Sequence, residues 1–136
     1  MSVTEASSLR ALVIDDQRTM RAIIRRLLSQ IGVHNVDEAE DGEQAIEKLR
    51  NPTADKPDII ICDLHMENMD GMDFCNHVRR DKNDDIRHLP VIILTGEQDT
   101  FVHDVTKQVG ATTVLVKPVS AADLKSQIEA AVGFTI

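Results

Sequence analysis

The sequence predicts an α/β fold in which a five-stranded parallel sheet carries five helices spread over both faces. Short aliphatic runs alternate with amphipathic helical patterns along the chain, an order that right-handed crossovers turn into a parallel sheet. Several of these runs are continuously apolar, as expected of strands covered on both sides. At 136 residues the chain has the length of one domain, enough to bury about two-thirds of its unfolded surface without metal or disulfide staples. Residues 1–8 read as a flexible polar tail and 9–136 as a single domain.

The elements follow in order. Ala11 to Ile14 is the first strand and runs into Asp15 and Asp16. Met20, Ile23, Ile24, Leu27, Leu28 and Ile31 then recur at helical spacing, one stripe that Gly32 ends. Val36 to Ala39 is a short second strand, and Ala45, Ile46 and Leu49 mark a second helix stopped at Asn51 and Pro52. The third strand spans Asp58 to Asp63. After Asp70 and Gly71 a third helix carries Met72, Phe74, Cys75 and Val78, and the charged stretch from Arg79 to His88 reads as its solvated end and a loop. Val91 to Leu94, behind Pro90, is the fourth strand and leads into Thr95. Phe101, Val102, Val105 and Val109 line a fourth helix closed by Gly110, Thr112 to Val116 is the fifth strand, and Leu124, Ile128 and Val132 mark the last helix.

Composition narrows the function classes. The chain is 42% hydrophobic and 28% charged, lacks Trp and Tyr, and carries a net charge of −8 from 23 acids and 15 bases. Nucleic acids and anionic membranes both need a basic footprint, so neither is an expected partner. No apolar run approaches a membrane span and the N-terminus lacks the pattern of a secretory signal, so a cytoplasmic protein without membrane insertion is expected. Cys62 and Cys75 lie in an apolar strand and an apolar helical face and read as unpaired thiols in a reducing compartment.

The chemistry sits where the aliphatic runs end. The first ends in Asp15 and Asp16, the third in Asp63, the fourth in Thr95 and the fifth in Lys117 and Pro118. In open α/β sheets ligands bind beyond the carboxyl ends of the strands, where the strand order reverses. Taken singly, Asp16 and Thr95 also read as helix caps and Lys117 as an exposed lysine. Together they place three carboxylates, a hydroxyl and an ammonium at one edge, a set suited to phosphate and a divalent cation.

These residues resemble the response-regulator receiver domains of two-component signalling. The likeness rests on Val13-Ile14-Asp15-Asp16, on Asp63-Leu64-His65-Met66 with Met69-Asp70-Gly71, on Leu94-Thr95-Gly96 and on Val116-Lys117-Pro118, and extends from about Leu9 to Val132. It implies a flavodoxin-like strand order 2-1-3-4-5 and a single receiver domain with no effector domain. It also implies a stand-alone response regulator, not an enzyme in the ordinary sense, that accepts a phosphoryl group on Asp63 from a sensor histidine kinase or a histidine phosphotransfer protein. By the same resemblance Mg2+, with Mn2+ as a substitute, is held by Asp16, Asp63 and the His65 backbone carbonyl, with Asp15 as an outer partner. Thr95 and Lys117 grip the phosphoryl oxygens, and the Lys117–Pro118 bond is cis. His65 and Glu97 tune the lifetime of the acyl phosphate, and Thr95 with Val114 occupies the switch positions. The downstream protein target is unknown, and the state is a monomer or a phosphorylation-dependent dimer.

Two departures bear on output. Val114 stands where the family has an aromatic side chain that swings inward, and a β-branched valine has no ring to move. Glu67 stands where the family often has proline, adding an acid near the site. A phosphate sink in a phosphorelay and a phosphorylation-independent adaptor are therefore alternative readings. A haloacid-dehalogenase-type phosphatase shares the strand-end aspartate but wants a second Asp two residues on, where this chain has His65. Arg18, Arg21 and Arg25 form a basic stripe on the first helix, read as a solvated face or as a docking surface for the phosphodonor. His34, His77, His88 and His103 read as exposed.

Overall fold

The computed structural model describes residues 8–136; most of the tail expected at 1–8 lies outside the described residues. Strands β1 (Arg10–Ile14), β2 (Asn35–Ala39), β3 (Ile59–Asp63), β4 (Val91–Thr95) and β5 (Thr113–Val116) form one parallel sheet in the order β2-β1-β3-β4-β5. The helices are α1 (Arg18–Gln30), α2 (Gly42–Arg50), α3 (Gly71–Arg79), α4 (Asp84–Arg87), α5 (Thr100–Gln108) and α6 (Ala121–Val132). No helix among the described residues is long and apolar enough to cross a membrane.

Strand alternation divides the core into two layers. Leu12, Ile14, Ile60, Cys62, Val91 and Ile93 face α2, α3 and α4, where Leu49, Phe74, Val78 and Ile86 pack on them. Ala11, Val13, Ile59, Ile61, Ile92 and Leu94 face the other way, under Ile24 and Leu28 of α1 and Leu124 and Ile128 of α6. Right-handed crossovers account for this division: the chain steps outward from β1 to β2, then returns past β1 to β3 and continues one way to β5. The reversal lies between β1 and β3, so their carboxyl ends flank the crevice where such sheets bind ligands. Continuous burial holds for β3 and β4 alone; the edge strands β2 and β5 are half-exposed, because each has only one neighbour to share its cover.

The sequence predicts five helices and the described residues form six. The additional turn, α4, lies in the stretch read as a loop. Asn83 caps it by accepting the Asp85 N–H, Asp84 and Asp85 complement its N-terminus, and buried Ile86 anchors it. Side chains of Asp41, Asp70, Asp99 and Ser120 likewise cap α2, α3, α5 and α6, each such cap being worth about 1 kcal/mol. Arg79 pins the far end of the sheet: its guanidinium donates to the carbonyls of Gly110, Arg87 and Leu89 at 2.9, 3.0 and 2.7 Å. Gly110 has φ +127, and its missing Cβ leaves room for the Arg79 stem.

Gly71 opens α3 directly behind β3. A Cβ there would lie 2.7 Å from the Asp63 carbonyl oxygen and 2.9 Å from Leu64 Cα, both of them backbone atoms that cannot swing aside. Gly71→Ala is expected to cost about 1–3 kcal/mol. Urea unfolding followed by far-UV circular dichroism checks this, since the chain has no Trp or Tyr to report by fluorescence.

Candidate functional site

The register sets the level at which each strand ends. Ile14 lies opposite Cys62 and Asp63 opposite Leu94, while Thr95 lies opposite Val116, so Asp15, Asp63, Thr95 and Lys117 emerge together at the carboxyl edge. Carboxylate oxygens of Asp15, Asp16 and Asp63 lie within 4.8 Å of one another. Lys117 Nζ donates to Asp63 Oδ1 at 2.7 Å and stands 3.9 Å from Asp15 Oδ2. The Lys117–Pro118 bond is cis. Thr95 is fully buried, and its hydroxyl oxygen accepts the Glu97 N–H at 2.9 Å.

The bland readings of these residues fail on geometry. Asp16 caps no helix, because Gln17 holds the N-cap position of α1 and makes no side-chain cap, and Thr95 caps none, because Asp99 caps α5. Lys117 is paired and half-buried. Among the described residues, Asp15 Oδ2 is the buried side-chain oxygen with no hydrogen-bond partner, while Oδ1 accepts the Gln17 N–H at 2.8 Å. An orphaned buried carboxylate oxygen beside two further carboxylates fits a hard divalent cation that prefers oxygen ligands.

Burial pushes the Asp15 carboxyl above the ordinary carboxylate value, with the charges of Asp63 and Asp16 adding to it against the Gln17 hydrogen bond and Lys117. Acid–acid repulsion is thus secondary to desolvation. Burial also pushes up both thiols, that of Cys75 to about 12, so neither is a nucleophile at neutral pH.

Other expected residues are placed differently. The His65 side chain is exposed. The Glu97 carboxylate accepts the Asp99 N–H at 3.0 Å and so is committed to the turn before α5. Val114 is half-buried and packs with Val102 against the α2–α3 layer. The arginine stripe does not form a free basic face: Arg21 is buried, donating to Glu38 at 2.9 Å and to the Asp15 carbonyl at 2.7 Å, and Arg25 donates to Glu38 at 2.8 Å and to the Val36 carbonyl at 3.1 Å. Of the three, Arg18 alone is left exposed without such a bond.

Periodicity flags Arg21 as surface because it lies off the apolar stripe. Its acceptors come from β1 and β2, a pairing no local pattern reveals. His103 is the second such case: read as exposed, it is half-buried, with Nε2 donating to the Glu97 carbonyl at 2.6 Å.

Beside Lys117 an apolar groove of about 310 Å³ runs between α1 and the β5–α6 turn, lined by Met20, Ile23, Leu27, Pro118 and Val119. Ile23, placed on the core stripe by periodicity, is 47% exposed on its rim. A larger depression of about 440 Å³ lies at the opposite end of β1 and β2, where Arg10 pairs with Asp55 and Lys48 with Asp37, and has no part in the acidic site.

Folding raises the Asp15 pKa above 3.8, so its ionisation opposes folding once the pH passes that value. Below it the group is protonated in both states and contributes nothing. Without divalent ions, Asp15→Asn is expected to match the wild type in acid and to become the more stable of the two as pH rises to neutral. Thermal unfolding between about pH 3 and 7 measures the divergence.

Compared with known families, residues 11–129 match the response regulator receiver domain. Chemotaxis protein CheY-3 of Vibrio cholerae is 33% identical over 122 residues, covering 90% of this chain and 90% of its own. Chemotaxis protein CheY of Pseudomonas aeruginosa is 36% identical over 123 residues, covering 89% of this chain and 94% of its own. Among solved structures, a response regulator receiver domain protein from Clostridium thermocellum superposes with a TM-score of 0.80 at 30% identity, covering 92% and 94% of the two chains. The Vibrio cholerae chemotaxis protein CheY4 does so with 0.76 at 29%, covering 90% and 98%. With the strand order, the strand-end acids and these likenesses in agreement, the chain belongs to the response regulator receiver domain family of two-component signalling.

Proposed function

We propose that this protein is a stand-alone, cytoplasmic response regulator that accepts a phosphoryl group on Asp63 and passes the signal on by a protein contact. Aspartate phosphorylation is typical of the family. The observation that carries the reading for this chain is the Lys117–Asp63 contact at 2.7 Å beside an acid pair whose buried Asp15 Oδ2 has no hydrogen-bond partner.

In this reading an Asp63 carboxylate oxygen attacks phosphorus, the P–N bond of a donor phosphohistidine breaks, and its electron pair stays on the imidazole nitrogen. Asp16, Asp63 and the His65 carbonyl, with Asp15 beside them, would hold Mg2+, which would supply the charge neutralisation needed to bring two anions together. Lys117 neutralises Asp63 before transfer and holds a phosphoryl oxygen after it. The Thr95 oxygen is occupied as an acceptor, which leaves its proton to donate to a second phosphoryl oxygen. Arg21 fixes the Asp15 peptide through its carbonyl and so aims the acid pair. With Glu97 committed to Asp99, tuning of the acyl phosphate's lifetime falls first to His65.

A protein donor must set its phosphohistidine against Asp63. The groove beside Lys117 therefore suits a sensor histidine kinase or a histidine phosphotransfer protein better than Arg21 and Arg25, which are turned to Glu38. Val114 keeps one alternative, a receiver whose surface binds its partner regardless of phosphate.

Intact mass after incubation with acetyl phosphate and Mg2+ tests the acceptor: one phosphoryl group is expected on the wild type and none on Asp63→Asn. Failure of the wild type with both acetyl phosphate and a phosphohistidine donor would overturn the assignment in favour of the adaptor. For the groove, Ile23→Glu is expected to slow transfer from a phosphohistidine protein by about tenfold while leaving the acetyl phosphate rate within about twofold. Equal slowing with both donors would remove the groove from the donor interface.

A further inference from the structure

Thr95 differs from the other site residues in the face of the sheet it belongs to. Asp15, Asp63 and Lys117 continue the alternation of Val13, Ile61 and Leu115, which pack on the α1–α6 side. Thr95 continues that of Val91 and Ile93, on the side where Val102 of α5 and Val114 of β5 pack. Its hydroxyl is tied to that side by two hydrogen bonds made by the backbone of one residue, on the two peptide groups that flank its Cα: Glu97 donates its N–H to Thr95 Oγ1 at 2.9 Å, and its carbonyl accepts from His103 Nε2 at 2.6 Å. Because a carbonyl only accepts, that ring nitrogen carries the proton. The Glu97 carboxylate accepts the Asp99 N–H at 3.0 Å, Asp99 caps α5 by accepting the Phe101 N–H at 2.9 Å, and the Asp99 carbonyl accepts the His103 N–H at 3.2 Å. Residues 95–103 are thus one bonded unit, and the His103 ring closes the loop onto the helix.

We propose that His103 is a positioning residue that latches the Thr95 loop to α5, so that a phosphoryl group drawing the Thr95 hydroxyl toward Asp63 moves α5 through the Glu97 backbone. The inference rests on the acceptor reading above. It accounts for output without an aromatic side chain at Val114: the hydrogen-bonded Glu97 backbone carries the displacement that a swinging ring would carry. Phe101, 71% exposed on the first turn of α5, lies on the element that the latch moves.

Beryllium fluoride with Mg2+ serves as the phosphoryl mimic, and backbone amide shifts are followed in the full chain. In the wild type, amides around Asp16 and Asp63 and those of Thr100–Gln108 are expected to shift together. His103→Ala is expected to keep the first set and reduce the second to less than about half, because the population shift no longer reaches the helix. His103→Gln, whose side-chain amide donates where Nε2 does, is expected to restore it. Undiminished α5 shifts in His103→Ala, no recovery in His103→Gln, or a silent α5 in a wild type whose Asp63 region responds would each overturn the latch alone. Silence at Asp63 in the wild type would overturn the acceptor reading and the latch with it.

Discussion

Parallel pairing of β1, β3 and β4 in one register is the constraint on which the site depends. Asp63 is the last residue of β3 and lies opposite Leu94, with Ile14 opposite Cys62 one level below. Side chains alternate along a strand, so a slip of one residue in β3 would turn Asp63 to the α3 face and bring Cys62 toward Lys117. The apolar layers oppose that slip, since it would exchange Ile59 and Ile61 with Ile60 and Cys62 between two packed faces. Core packing therefore specifies which carboxylate meets Lys117.

Around that edge the fold holds charge in place against its own solvation. Asp15 is buried with an unpartnered oxygen, and desolvation, more than its acidic neighbours, pushes its pKa up. Lys117 offsets part of this from one side. From the other, Arg21 secures the Asp15 carbonyl, and Arg21 and Arg25 together hold the Glu38 carboxyl below its usual range, Arg25 contributing most. A half-satisfied buried acid is unfavourable in a purely structural core, and such local conflict is expected where a fold serves a ligand. Placing the unsatisfied oxygen at the point where β1 and β3 diverge puts that conflict where a cation can relieve it.

The two faces of the sheet are coupled to the site by different means. The α1–α6 face borders it through Lys117 and the apolar groove, a surface open to a second protein. The α5 face reaches it through the Thr95 hydroxyl and the Glu97 backbone, a hydrogen-bonded path inside the chain. This difference follows from Thr95 having the opposite strand phase to Asp15, Asp63 and Lys117.

Alternating aliphatic and amphipathic segments determined the parallel α/β sheet, and the strand-end positions of Asp15, Asp16, Asp63, Thr95 and Lys117 were legible for the same reason: both are local patterns whose period is set by the backbone. The one-turn α4 was not legible, because four residues carry no period and only the burial of Ile86 holds them. Ile23 fits the apolar stripe of α1 and still lies half in solvent, because what covers a stripe depends on the neighbouring element and not on the stripe. Arg21, Arg25 and His103 could not be assigned from spacing, since their acceptors lie on other elements or across a turn: Glu38 on β2, the Asp15 carbonyl at the end of β1, the Glu97 carbonyl before α5. Sequence determined which groups the site holds. Tertiary structure alone decided which cations stay free for a partner and which are spent on carboxylates and carbonyls, because hydrogen-bond partners are chosen by proximity in space.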